Sequence, residues 1–345
     1  MDREEKLACL RLIRTPNIGP MTFSLLLQRY GSAIGALRAV PELAKRGGRS
    51  LKPAGRALAE AELQANEDAG ASLMFKGASD YPARLAQFDD APPVLSVRGS
   101  PHLLSRPSVG IVGARNASIN AQRLAQSLAE DLAAEGYVIV SGLARGIDAA
   151  AHDGALAGGT VAVIAGGIDI VYPLENADFH GSIAETGLLV AEMPPGTQPT
   201  PRHFPIRNRI IGALALGVVV VEAAERSGSP LDPRSQGCNH LIREGATLVR
   251  GAGDILECLA RPAAATLPDP ADWRQARLAP GKPEEIDRCR STILEGLGPE
   301  GTDIDEVIRW CGMPASTVLA AIHELEIAGR LTRHHGNRIC LVIIR

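Results

Sequence analysis

With 345 residues, the chain is long enough for two or three domains, and 45% hydrophobic against 3% aromatic content requires cores of Ala, Val, Leu and Ile. A formal net charge of −3 excludes a broadly polycationic nucleic-acid binder, so any such binding needs a local basic patch. The six cysteines (Cys9, Cys238, Cys258, Cys289, Cys311, Cys340) form no C-x-x-C pair, which speaks against a disulfide framework or zinc site; with a charged N-terminus and no membrane-length apolar run, the expectation is a cytoplasmic protein.

Residues 5 to about 75 read as helical, with Leu7, Leu10 and Ile13, then Phe23, Leu26 and Leu27, at helical spacing. Thr15-Pro16-Asn17-Ile18-Gly19-Pro20 between them is a tight turn. This N-terminal part (1–80) is either a helix-hairpin-helix (SAM-like) domain, whose turn amides meet a nucleic-acid phosphate, or a plain helical corner.

Residues 81–260 alternate strands and helices. Strands are expected at 109–113, 137–141, 160–165, 188–192 and 217–222, with a helix at 119–135. Such alternation gives an α/β domain, a Rossmann-like parallel sheet with helices on both faces. Ligands of such sheets bind beyond the strand carboxyl ends. Two turns there are rich in glycine: Gly113-Ala114-Arg115-Asn116, and Ser141-Gly142-Leu143-Ala144-Arg145-Gly146-Ile147-Asp148 followed by His152. A strand that passes through glycines into a helix presents backbone amides to a phosphate. Residues 261–284, rich in Pro and Ala, read as a linker. Helices at 285–296, 303–311 and 314–329 and a hairpin with Gly336-Asn337 at its tip make residues 285–345 a winged helix. The third of these helices begins Pro314-Ala315-Ser316-Thr317 and carries no basic residue, which argues against major-groove readout.

Arg115, directly after a strand, reads as a bidentate phosphate clamp rather than a surface ion-pair partner. Arg207 and Arg209 flank Asn208 at the start of an apolar helix, where the dipole favours anions; an anionic ligand offsets that cost. Phe204 either stacks on a base or is one of the few large core residues. Asp148 and His152 share a helix face and read as structural, Asp148 pinning the turn and His152 satisfying a buried partner. No G-x-S-x-G, Walker A or G-x-G-x-x-G pattern is present, and His334-His335 near Cys340 is too irregular for a metal. No cofactor, metal or catalytic residue is expected.

Taken as a set, Val112 to Arg115, Ser141 to Asp148 with His152, Tyr172-Pro173 and Phe204-Pro205-Ile206-Arg207-Asn208-Arg209 resemble the DNA-processing protein A (DprA/Smf) family. Tyr81-Pro82, Pro92 to Leu95, and Val221-Glu222-Ala223 with Ser227-Gly228-Ser229 are also similar to it. The resemblance implies a cytoplasmic bacterial protein, not an enzyme, that binds incoming single-stranded DNA, protects it and loads the RecA recombinase during natural transformation. It implies a homodimer through the Rossmann-like domain. DNA contact carries over to Gly113, Arg115, Ser141, Gly142, Ala144, Arg145, Gly146, Phe204, Arg207, Asn208 and Arg209. The alternative on the same scaffold is a nucleotide-processing phosphoribohydrolase of the lysine-decarboxylase-like type, whose P-G-G-x-G-T-x-x-E helix start is missing. One departure stands out: after Ser229 the family has a further helix and strand, whereas this sequence runs into Pro230-Leu231-Asp232-Pro233. The expectation is an omitted segment, with Ser229 and Pro230 much farther apart than the ~3.8 Å of bonded neighbours.

Overall fold

The structure, a computed structural model, describes residues 1–222, 241–242, 245–260, 283–334 and 338–342. The Ser229–Pro230 junction, residues 261–282 of the expected linker and the Gly336-Asn337 hairpin tip lie outside the described residues. The chain divides into two compact units, Met1–Glu60 with Ala263–Arg345, and Ala61–Pro262.

Four helices open the chain: α1 (Arg3–Ile13), α2 (Pro20–Tyr30), α3 (Ala33–Arg46) and α4 (Arg56–Asp68). Asp2 caps α1 by accepting the Glu5 amide at 2.8 Å, and Ser32 caps α3 by accepting the Gly35 amide at 3.0 Å. Glu5 also accepts the Ala33 and Ile34 amides (2.5 and 3.3 Å), so a carboxylate on α1 sits at the positive end of α3. The helical reading of the first 75 residues ends too late, because Ser72–Phe75 is a strand. Its short apolar run matches helix or strand equally well, and a partner distant in sequence decides between them.

The second unit continues with β1 (Ser72–Phe75), α5 (Ala83–Ala86), β2 (Val94–Gly99), β3 (Ser108–Gly113), α6 (Ile119–Ala134), β4 (Val138–Ser141), α7 (Ile147–Ala155), β5 (Thr160–Gly167), α8 (Ala177–Thr186), β6 (Leu188–Met193), α9 (His203–Leu214), β7 (Val218–Val221) and α10 (Ala252–Ala260). Among the described residues the strands form one seven-stranded sheet, ordered β1-β2-β6-β5-β4-β3-β7. The five expected strands are all present and run parallel. Strands β1 and β2 extend the sheet antiparallel beyond β6.

Both faces of the central strands are covered, as a parallel sheet requires. Val138 and Val140 face α9 through Ile210, Ile211 and Leu214, while Ile139 faces α6 and α7. Ala121, Ala125, Ala151 and Ala155 build that second face. A Cβ on Gly154 would overlap the Gln126 carbonyl, so α6 and α7 meet almost backbone to backbone. Small residues thus replace aromatic bulk in this core.

The tail is α11 (Pro283–Gly296), β8 (Thr302–Asp303), α12 (Ile304–Cys311), α13 (Ala315–Ile327), β9 (Leu331–His334) and β10 (Arg338–Leu341), with strand order β8-β10-β9. This is the expected winged helix, with an added first strand. Among the described residues no helix is long and apolar enough to cross a membrane.

Candidate nucleic-acid interface

The parallel strands advance from β3 through β4 and β5 to β6, and β7 then returns to the other side of β3. The turns after β3, β4 and β5 therefore gather beside a topological switch point, with α9 packed beneath.

The turn after β4 is braced from every side. Gly146 has φ +78°, and a Cβ there would overlap the Ala114 carbonyl and lie 2.6 Å from that of Arg115. Only glycine lets the two turns pass each other. The Ile147 amide donates to the Ala114 carbonyl at 3.3 Å, which ties them together. Leu143 holds φ +56°, costly for a branched residue. Its side chain is buried, and its carbonyl accepts from the Asn176 side-chain amide at 3.0 Å. Asp148 accepts the Ala144 amide at 3.3 Å, so this carboxylate pins the turn from within. Burial pushes the Asp148 carboxyl above its usual range, with the nearby Arg207 guanidinium opposing that shift.

Arg207 is only 5% exposed. It runs under the turn and donates to the Val163 carbonyl at 2.6 Å. A Cβ on Gly142 would overlap its guanidinium, so the missing side chain at Gly142 is the space that Arg207 fills. Ser141 is fully buried and donates to the Ile111 carbonyl at 2.6 Å. Gly113 lies where a Cβ would overlap the Val221 carbonyl, a packing constraint between β3 and β7. His152 is fully buried, with Nδ1 at 2.7 Å from the Thr160 hydroxyl. That hydroxyl donates to the Ile139 carbonyl, so the imidazole Nδ1–H donates to it in turn. Burial, helped by the Arg207 charge, lowers the His152 pKa to about 3 and keeps the ring neutral.

Above this support lies the cleft, lined by Arg115, Gly142, Ala144, Arg145, Tyr172 and Phe204 among others. The Arg115 guanidinium stands 4.4 Å from the centre of the Phe204 ring. Tyr172, half exposed, places its own ring 6.0 Å from Phe204 at 50°. Arg145 is exposed, and its 3.6 Å pairing with exposed Glu175 is loose enough to exchange. Asn208 is exposed but does not line the cleft. Arg209, two residues from Arg207, reaches the Asp90 carbonyl and Glu192 (2.5 Å to the carboxylate). The structure thus brings Arg115, Gly142, Ala144, Arg145 and Phe204 together around one opening. It sets Ser141, Arg207, Asp148 and His152 below that opening, and Gly113 and Gly146 in its bracing.

Two residues had no site role in the sequence reading, Tyr172 being quoted there only as part of the resemblance. Tyr172 is one of only four tyrosines and follows the carboxyl end of β5, a positional signal that was available. Asn176 gave no signal, because its partner Leu143 is 33 residues away. Chemically, the arrangement offers a cationic, aromatic, partly open surface beside the N-terminus of α7. That combination suits an anion that also carries flat rings.

Three family models match in order: DprA-like N-terminal HHH domain over residues 3–65, DNA recombination-mediator protein A over 72–231, and DprA winged helix domain over 277–337. The sequence is 42% identical over 198 residues to DNA processing protein DprA of Streptococcus pneumoniae, covering 51% of this chain and 70% of that one. It is 35% identical over 284 residues to protein Smf of Escherichia coli, covering 76% and 75%. The fold is similar to the X-ray structure of DNA processing protein A from Streptococcus pneumoniae, with a TM-score of 0.61 at 32% identity, covering 74% of this chain and 98% of that one.

Proposed function

We propose that this chain, which belongs to the DNA recombination-mediator protein A (DprA/Smf) family, binds single-stranded DNA in the cleft at the carboxyl ends of β3, β4 and β5. The observation that carries the reading is the Phe204 ring flanked by the Arg115 guanidinium and the Tyr172 ring. Bases stack on such a platform only when their faces are free, which favours a single strand over a duplex. Arg115 serves two partners, the ring through its face and a phosphate through its edge. The braced 142–146 turn and the N-terminus of α7 add partial positive charge at the same place. Arg207 acts from below as a buried charge and pillar, while Arg145 meets the backbone once Glu175 lets go.

The family resemblance extends the proposal. The chain works in the cytoplasm as a homodimer through its Rossmann-like unit, protects the strand and passes it to the RecA recombinase in natural transformation. Light scattering of the full chain should give twice the monomer mass, and RecA should nucleate faster on strand bound by this protein.

Fluorescence anisotropy with an oligothymidylate and a duplex of equal length, across a salt series, tests the core of the reading. The single strand should win, and log K should fall linearly with log salt, by about 0.7 per phosphate contact. Phe204→Ala should cost about 1–3 kcal/mol per stacked base, roughly 5- to 150-fold in affinity. Equal affinity for strand and duplex at the same salt would refute the assignment.

A further inference from the structure

The third helix of a winged helix is the element that usually enters the DNA major groove. Here the C-terminal half of α13 is covered, while Ala315 at its start is exposed. Val318, Ala321, Ile322 and Leu325 fill the core of the tail, as such residues must. The remaining directions along its C-terminal half are covered as well: His323, Glu324, Glu326, Ile327 and Ala328 are all buried. Glu324 is paired with Arg290 of α11, and Glu326 with Arg333 of β9 at 2.8 Å.

The cover belongs to the N-terminal helices of the same compact unit. A Cβ on Gly47, at the end of α3, would overlap the Glu324 carbonyl and lie 2.5 Å from the Ala328 Cβ. Asn17, at the tip of the turn between α1 and α2, donates its side-chain amide to the Ile327 carbonyl at 3.3 Å. Gly329, with φ +63°, sits where a Cβ would lie 2.8 Å from Asn17 Nδ2. Two glycines therefore provide the room for this contact, one from each partner. Charge agrees with it: α13 carries no Lys or Arg, and its Glu324 and Glu326 are already neutralised by Arg290 and Arg333 within the tail. A helix without Lys or Arg offers no phosphate contact, and one whose acids are neutralised packs against protein without leaving a charge unpaired.

We propose that the winged helix is a protein-docking module, with the C-terminal half of α13 as its docking face and the helical N-terminal domain of the same chain as its partner. The contact reaches the α1–α2 turn through Asn17 alone, and Pro16, Asn17 and Gly19 stay exposed, so it is the C-terminal half of α13 that is closed to duplex DNA.

Amide hydrogen exchange on the full chain tests this, with Gly47→Arg as the wedge. Gly55→Arg is the control, because it adds the same charge where a side chain meets open space. Amides of residues 322–329 should exchange at least about tenfold faster in Gly47→Arg, while those of 138–141 stay as in the wild type. Ala328→Arg, a wedge from the opposite side, should expose residues 15–19 and 43–47 in the same way. Exchange unchanged in both wedges would overturn the proposal. So would wild-type protection that disappears on dilution, since the partner would then be a second copy. A gain of about tenfold or more in duplex affinity for Gly47→Arg over Gly55→Arg would also overturn it, by showing a DNA reader released from cover.

Discussion

Gly142→Ala probes the most constrained point of the proposed interface. The new methyl must occupy space held by the Arg207 guanidinium, which is buried and bonded to the Val163 carbonyl at 2.6 Å. A free arginine would swing aside, but this one has nowhere to go. Losing a hydrogen bond to a charged donor costs about 1.5–3 kcal/mol, and forcing a methyl into a packed core costs about 1–3 kcal/mol more. The expected total is about 2.5–6 kcal/mol, which for a unit of this size lowers the melting temperature by roughly 5–20 °C. Thermal unfolding followed by circular dichroism measures it. Gly142→Ala combined with Arg207→Met should lose less than the sum of the two single variants, because the shorter, uncharged side chain yields space to the methyl. A Gly142→Ala variant that melts with the wild type would refute the reasoning, since Arg207 could not then lie where the turn needs it to be.

The two outer arginines should separate cleanly. Arg115→Ala should weaken single-strand binding by about 1.5–3 kcal/mol and flatten the salt slope by about 0.7, whereas Arg209→Ala, which loses only Glu192 and Asp90, should leave both nearly unchanged in anisotropy titrations. His152 makes a pH prediction. Its folded pKa, about 3, lies below its ordinary value of 6.5, so the unfolded chain takes up the proton first as pH falls. Stability tied to this ring is complete above the ordinary value and is lost toward acid, at up to about 1.4 kcal/mol per pH unit. Denaturant titrations from pH 7 to pH 4 should show a smaller loss in His152→Gln than in the wild type. Asp148, whose folded pKa is raised, works in the opposite sense and largely cancels in that difference.

Much of this protein was legible in one dimension. Alternating apolar strands and amphipathic helices set the parallel core, because strand and helix periods are local properties of the chain. Glycines at the ends of β3 and β4 marked the cleft, since positive φ with close backbone approach at Gly146, and the Arg207 guanidinium against Gly142, leave few other choices. Arg115 was singled out by its place in the turn after β3, whereas Phe204 stayed open between base stacking and the core until the fold set its ring beside Arg115. Tertiary structure decided everything that depends on direction. Arg207 and Arg209 look alike in sequence, yet successive positions on a helix turn by about 100°. One therefore lies beneath the cleft and the other reaches Glu192. Strands β1 and β2 join the sheet only through β6, nearly a hundred residues further on, and no local pattern encodes such a pairing. Asn176 and the covered face of α13 belong with them, because a contact between distant segments is a property of the packed chain, and sequence neighbours carry no trace of it.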